Sequence, residues 1–289
     1  MRFDPCRPFA CARLPGRAAP APAATFVVAK AADASDGSCN ADCSLREAVA
    51  AAVAAAGNDV ITFDPAVFST PRTITLSGSE IAIASAGSLL IEGPGAQLLT
   101  IDGNGASRII SNDAGAVTTI RGIRFTGGNG AGAANTGRGG AIYNNGGTLV
   151  IQRLVLQGNT AANGGALNNA NGGTLSILDC SLVGNSATGA GGALQNFSGN
   201  TLLLSGSAVT GNASGSNVTG GGAAQLNGEA TIVNSTFTGG GAPAGSGGAI
   251  YSNGPRLLVV NSTFTGNSAL SNAGGLHRAS SSTTPALFL

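Results

Sequence analysis

Gly147-Thr148-Leu149-Val150-Ile151-Gln152-Arg153-Leu154-Val155-Leu156-Gln157-Gly158-Asn159, closed by Gly164-Gly165-Ala166-Leu167, is the stretch from which the fold is read. Leu149 and Ile151 stand two residues apart, as do Leu154 and Leu156, which is the period of a strand with one face buried. Glycine and asparagine then punctuate the run. The same pattern returns along the chain. Gly-Gly pairs stand at 139, 164, 191, 221, 247 and 274, with spacings of 25, 27, 30, 26 and 27. Between them lie apolar anchors at Phe125, Leu156, Leu182, Val209, Phe237 and Phe264. Five residues before each anchor stand Ile120, Ile151, Ile177, Leu204, Ile232 and Val259, and seven before stand Thr118, Leu149, Leu175, Leu202, Ala230 and Leu257. Two before stand Ile123, Leu154, Cys180, Ser207, Ser235 and Ser262, and Ile142, Leu167, Leu194, Ala224 and Ile250 follow the glycine pairs. Like recurs above like, so each set is expected to form an inward apolar stack in a solenoid. A repeat of this length with short strands and no helical segment fits one coil of an all-β, right-handed parallel β-helix. Asn159, Asn185, Asn212 and Asn267 recur at one turn, either as a ladder of stacked amides or as turn formers.

Composition agrees. Of 289 residues 47 are glycine, only 9% are charged and 43% are hydrophobic, which excludes a disordered chain and suits short strands with tight turns. The formal net charge of +1 provides no field to attract nucleic acid or an anionic membrane, and no apolar run is long enough to span a bilayer. Earlier strands are expected at Val60 to Phe63, Thr73 to Leu76, Ile81 to Ile83, Leu89 to Ile91, Leu98 to Ile101 and Ile109-Ile110.

An open solenoid end invites aggregation unless covered. Ser44-Leu45-Arg46-Glu47 is a capping box, with Leu45, Ala48, Val49, Ala52, Val53 and Ala56 at helical spacing and Gly57 to stop the helix. The expected organisation is a leader over residues 1–24, a cap over 25–58 with its helix at 44–56, repeats over 59–277, and an irregular tail over 278–289. The leader ends in small residues like a secretory cleavage region but lacks a clear apolar core. The repeat breaks off at His277, which predicts a fragment or a shifted reading frame near that residue.

Asp36-Gly37-Ser38-Cys39, Asp42-Cys43-Ser44-Leu45-Arg46-Glu47-Ala48-Val49 and Gly57-Asn58-Asp59-Val60-Ile61-Thr62-Phe63 resemble the CSLREA domain of bacterial secreted β-helix proteins, with Val53 in place of an expected Asn. Gly247-Gly248-Ala249-Ile250 and Asn261-Ser262-Thr263-Phe264-Thr265-Gly266-Asn267 resemble the repeats of polymorphic outer-membrane proteins. The resemblance implies a pectin-lyase-like β-helix outside the cell or at its surface, and no particular reaction. Cys39 and Cys43 are expected to close a small disulfide loop in that compartment; half a zinc site is the alternative, without a second ligand pair. Cys180 falls in an inward column and reads as a small buried hydrophobe.

Chemistry is scarce. Of 13 acidic residues, 11 lie at or before Asp113, leaving only Asp179 and Glu229 for the repeats. Lyases and hydrolases on β-helices need clustered carboxylates. The candidates are Glu92, Asp102 and Arg108, with Glu80, Asp113, Arg121 and Arg124 nearby; surface ion pairs are the simpler reading. Calcium is expected only if such an enzyme site exists, and no other cofactor is. An ice- or crystal-binding array would use Thr126, Thr210, Thr236, Thr238, Thr263 and Thr265, but Val, Gln and Arg interrupt its columns. The expected function is therefore a non-enzymatic secreted or surface module, adhesin-like or a passenger, with an extracellular glycan or protein as ligand and no nucleic-acid partner. A polysaccharide-degrading enzyme is the alternative.

Overall fold

A computed structural model describes residues 23–55, 57–84, 87–215, 220–279 and 287–288. The chain winds into a right-handed parallel β-solenoid of about eight turns, the hand that parallel crossover connections take. Four parallel sheets run along it. A long sheet has ten strands, an anchor sheet and a glycine-pair sheet have eight each, and a short sheet has five strands of two residues. Sequence periodicity misses the short sheet, because two residues cannot display a period.

The pairing register reproduces the sequence columns. On the long sheet Ile61, Ile91, Ile120, Ile151, Ile177, Leu204, Ile232 and Val259 lie in one row. The anchor sheet stacks Ile74, Ile101, Phe125, Leu156, Leu182, Val209, Phe237 and Phe264. The Phe237 and Phe264 rings are parallel with centroids 5.0 Å apart. The glycine-pair sheet stacks Ile81, Ile110, Ile142, Leu167, Leu194, Ala224, Ile250 and Leu276. Nearly all these side chains are buried, and each Val, Leu, Ile or Phe fully buried among them contributes about 1.5–3 kcal/mol of hydrophobic transfer before entropy is counted.

The corners explain the residues between the strands. Leaving the long sheet, the chain turns through a left-handed residue in successive coils: Gly122, Arg153, Asp179, Gly206, Asn234 and Asn261, all with φ between 43° and 61°. Glycine, Asn and Asp tolerate that region best. The glycine pairs answer a second demand. A Cβ on Gly140, Gly165, Gly192 or Gly222 would lie 2.1–2.2 Å from the carbonyl oxygen of Gly165, Gly192, Gly222 or Gly248 in the next coil. Backbone stacks on backbone there, and no side chain fits.

The N-terminal end is capped. Ser44 precedes a helix over Leu45–Ala55. Its backbone N–H donates to Glu47 Oε2 at 2.7 Å, and the Glu47 N–H donates to Ser44 Oγ at 3.2 Å. Leu45, Ala48, Val49 and Ala52 bury against the first coils, with Val53 half-buried; Ala56 lies outside the described residues. The cap also adds a strand, Thr25–Val28, pairing in parallel with Asn58–Phe63 as the first strand of the long sheet. Cys39 and Cys43 are joined by a disulfide. Ser44 donates its hydroxyl to Ala34 O, and Arg46 forks onto both Asp33 oxygens.

At the other end two short strands join the sheets. Leu276–Arg278 pairs with Ile250–Ser252, and Leu287–Phe288 pairs with Leu258 and Val259 of the long sheet. Most of the expected tail, residues 280–286 and 289, lies outside the described residues. The expected leader lies almost wholly outside the described residues.

Candidate functional site

The three residues nominated for catalysis do not meet. Glu92 ends a strand of the long sheet and faces Arg121 at 3.3 Å and Arg153 at 3.6 Å. Asp102 belongs to the anchor sheet, and its Oδ1 accepts from the Asn104 N–H at 2.8 Å, folding the turn that follows. A Cβ on Gly127 would sit 2.2 Å from that oxygen, so the turn requires glycine opposite. Arg108 departs furthest from the surface pairing expected of it. Its side chain is fully buried and its Nη1 lies 2.6 Å from Glu80 Oε2. The remaining N–H groups donate to carbonyls of Gly130, Ala134, Asn135, Arg138 and Gly139, and the guanidinium carbon stands 4.8 Å above the Tyr143 ring. Glu80 also accepts from the Ala133 N–H at 2.7 Å. This pair pins the long connection between residues 128 and 140 onto the coils. Its sequence signal was an arginine directly before the inward Ile109-Ile110, a position where a charge needs a built partner.

Asp113 is likewise bound into the coils, where it accepts from Ser111 Oγ and Asn145 Nδ2. Asp179 occupies a left-handed corner, and Glu229 is paired with Thr201 at the start of a long-sheet strand. His277 stacks on Tyr251 with centroids 5.5 Å apart. Among the described residues no group of three or more His, Cys, Asp or Glu is placed to hold a metal ion, and no helix is long and apolar enough to cross a membrane. A surface cleft of about 410 Å³ opens beside Glu80, lined by Gly78, Ser79, Ala82, Ala131, Gly132 and Ala133. Glu80 is its only ionisable wall, and both its oxygens are already engaged.

What the repeats build instead is polar ladders. Asn159 N–H and Nδ2 both donate to Asn185 Oδ1, at 2.9 and 3.1 Å; Asn185 repeats this onto Asn212, at 2.8 and 3.0 Å. Each Nδ2 also donates back to a carbonyl of the preceding coil: Phe125, Leu156 and Leu182. The ladder reading of these asparagines therefore holds over the turn-former reading. The row is broken at Gly240 and resumed by Asn267, whose Oδ1 accepts from the Gly240 N–H. A second ladder runs inward through Asn112, Asn144, Asn169 and Asn196 at 2.7–2.8 Å, with Thr118 donating to Asn112. Its signal was present in Asn144, Asn169 and Asn196, each two residues after a column apolar residue, where strand periodicity points inward.

A third ladder corrects the expectation of an apolar column. The N–H of Cys180 donates to Ser207 Oγ, that of Ser207 to Ser235 Oγ, and that of Ser235 to Ser262 Oγ, at 3.0–3.3 Å. Each serine hydroxyl donates to the carbonyl two residues back in its own chain. Cys180 begins this row, its Sγ accepting from the Leu154 N–H. Burial pushes its thiol pKa up to about 12, the state of an inert packing group.

The accessible faces are uncharged over much of their length. On the long sheet Thr148, Thr174 and Thr201 are exposed and directly paired in successive coils, about 4.8 Å apart. Val150, Ser176 and Leu203 form the adjacent outward row, half-buried. On the anchor sheet Thr236 and Thr238 pair with Thr263 and Thr265, while Val155, Gln157, Ser181, Val183 and Ala208 interrupt the row toward the first coils, and Arg124 bonds Gln157. No family model matches the chain, and neither a curated protein nor a solved structure does.

Proposed function

We propose that this chain is a non-enzymatic β-helix module, secreted or displayed on a bacterial surface, that works by binding glycans or proteins along its sheets, as an adhesin-like or passenger domain. The observation that carries the reading is the exposed in-register row Thr148, Thr174 and Thr201. A rigid strip of hydroxyls at strand spacing, flanked by the half-buried side chains of Val150 and Leu203 with Ser176 between them, is suited to an extended ligand with both hydroxyls and apolar ring faces. The CSLREA-like motif and the outer-membrane-type repeats support export, and a Cys39–Cys43 disulfide suits an oxidising compartment. The structural use of Glu92, Asp102 and Arg108 weighs against acid–base chemistry at those residues.

The test has two arms on the purified chain. On a glycan array, selective hits weakened at least about tenfold by Thr174→Arg, equivalent to about 1.4 kcal/mol, are expected. On the same polysaccharides, with and without calcium, neither new reducing ends nor unsaturated products should accumulate. Turnover abolished by Glu92→Gln or Asp102→Asn would establish the polysaccharide-degrading alternative instead.

A further inference from the structure

Four Asn-x-Ser/Thr triplets lie wholly among the described residues: Asn196-Phe197-Ser198, Asn212-Ala213-Ser214, Asn234-Ser235-Thr236 and Asn261-Ser262-Thr263. Such triplets are acceptors for N-linked sugar when their amide reaches solvent. The fold divides them sharply. Asn196 and Asn212 are fully buried ladder members. Asn196 Nδ2 donates to Glu229 O at 3.0 Å and Asn212 Nδ2 to Leu182 O at 2.9 Å. Adding a sugar to either nitrogen would break its ladder and force a bulky polar group into the core.

Asn234 and Asn261 sit elsewhere. Both occupy the left-handed corner between the long and anchor sheets, with φ of 49° and 43°, and both are exposed, as are Thr236 and Thr263 two residues on. Asn261 Nδ2 donates to Asn234 Oδ1 at 2.8 Å, so that contact engages the Asn234 oxygen and not its nitrogen. On the other side the preceding corner is Gly206, which has no side chain to obstruct a substituent. The middle residues, buried Ser235 and half-buried Ser262, belong to the serine ladder, which fixes the corner so that the flanking Asn and Thr stay outside.

We propose that Asn234 is an acceptor for N-linked glycosylation and that Asn261 is a secondary one. The donor is an activated sugar, linked through a diphosphate to a nucleotide or lipid, and the catalyst is a separate transferase. The new bond joins the sugar C1 to Asn234 Nδ2 as the C1–O(phosphate) bond breaks. The diphosphate leaves with the electron pair, and the amide proton passes to a base of the transferase. This goes beyond the binding reading and stands independently of it, since sugar attachment needs only the exposed corner.

A soluble N-glycosyltransferase with its nucleotide-sugar donor can be applied to the folded chain and, in parallel, to a proteolytic digest of that chain, with occupancy mapped by peptide mass. The folded chain should be modified at Asn234 in preference to Asn212 and Asn196 by more than about tenfold, because buried amides react only through opening. In the digest that preference should collapse. Asn234→Gly, the residue the same corner already carries at Gly122 and Gly206, should remove the main product with little change in the urea midpoint. An unmodified Asn234 in the folded chain, whether or not the digest is modified, would overturn the proposal, as would equal modification of Asn212 in the folded chain.

Discussion

The first coils and the later coils solve one problem by opposite means. Both must satisfy polar groups where the backbone leaves its strands. From Leu149 onward the turns repeat in register, so a neutral amide or hydroxyl in one coil meets its counterpart in the next, as from Asn159 through Asn185 to Asn212. Between Gly128 and Gly140 the connection is longer than its counterpart in the next coil, which it meets through Gly128 O with the Thr160 N–H and through the Arg138–Asn163 bridge. Its carbonyls turn inward and are satisfied by one buried cation, Arg108, balanced by Glu80. Regularity thus allows stability to be distributed over many small bonds, whereas irregularity concentrates it in one side chain. Removing single residues from each region should expose the contrast.

The largest loss is expected from Arg108→Ala. It strands Glu80 in a nearly dry site and leaves several carbonyls without donors, a change of about 3–5 kcal/mol. Chemical denaturation should show a lower midpoint, and limited proteolysis should cut first between residues 128 and 140. Cleavage elsewhere with an unchanged midpoint would mean that the connection is held by something other than this pair. In the ladder, Asn185→Ala removes the acceptor for two Asn159 donors and the donor to Leu156 O, so a loss of about 1–3 kcal/mol is expected. Hydrogen exchange should quicken at Asn159 and at its neighbours along the row. Exchange confined to residue 185 would show that the rungs are independent rather than linked.

The same contrast governs what could be read from the sequence. The columns headed by Ile120, Phe125 and Ile142 were legible because a stacked repeat imposes one side-chain type at one position, and the register follows from the spacing alone. The serine rows were visible as positions but mistaken in kind. Ser207 and Ser235 point inward, as periodicity requires, yet each meets a backbone N–H of the adjacent coil, which a one-dimensional pattern does not display. Arg108 was legible only as a charge beside a strand. Its partners lie 22 to 31 residues downstream and 28 upstream, and no periodicity links them. Leu287–Phe288 shows the converse: a strand forms by pairing onto Leu258 and Val259 without the local glycine signal.

A smaller and pH-dependent effect belongs to the cap, the irregular end of the molecule. The Ser44 backbone N–H donates to Glu47, the Asp36 N–H adds a second bond, and Lys30 stands 3.5 Å away. Together, against the cost of burial, these hold the Glu47 carboxyl down at about 2 from an ordinary 4.5. A depressed folded-state pKa gives stability that is complete above the unfolded value and is lost as pH falls through the folded one. The midpoint should therefore decline between about pH 4.5 and pH 2, and Glu47→Gln should flatten that decline, since a capping amide keeps an acceptor but does not titrate. An identical acid limb in the variant would move the acid sensitivity to Asp33, whose carboxyl burial would raise but which Arg46 and Ser77 hold below its usual range.

The smallest change is expected at Cys180, where the regular region should absorb a substitution almost completely. Its Sγ accepts from the Leu154 N–H and lies 3.2 Å from Leu178 O, while its N–H feeds Ser207 Oγ. These are the bonds that Ser207, Ser235 and Ser262 make one coil after another, so Cys180→Ser extends an existing row by one rung. A midpoint within about 1 kcal/mol of the parent is expected, against the larger cost of Cys180→Ala, which leaves the buried Leu154 N–H without an acceptor. The native thiol, raised to about 12 by burial, should resist alkylation until the chain unfolds, with the label localised by peptide mass. A serine variant as damaged as the alanine one would show that the row tolerates sulfur and oxygen for different reasons, and that the ladder's regularity stops at Ser207.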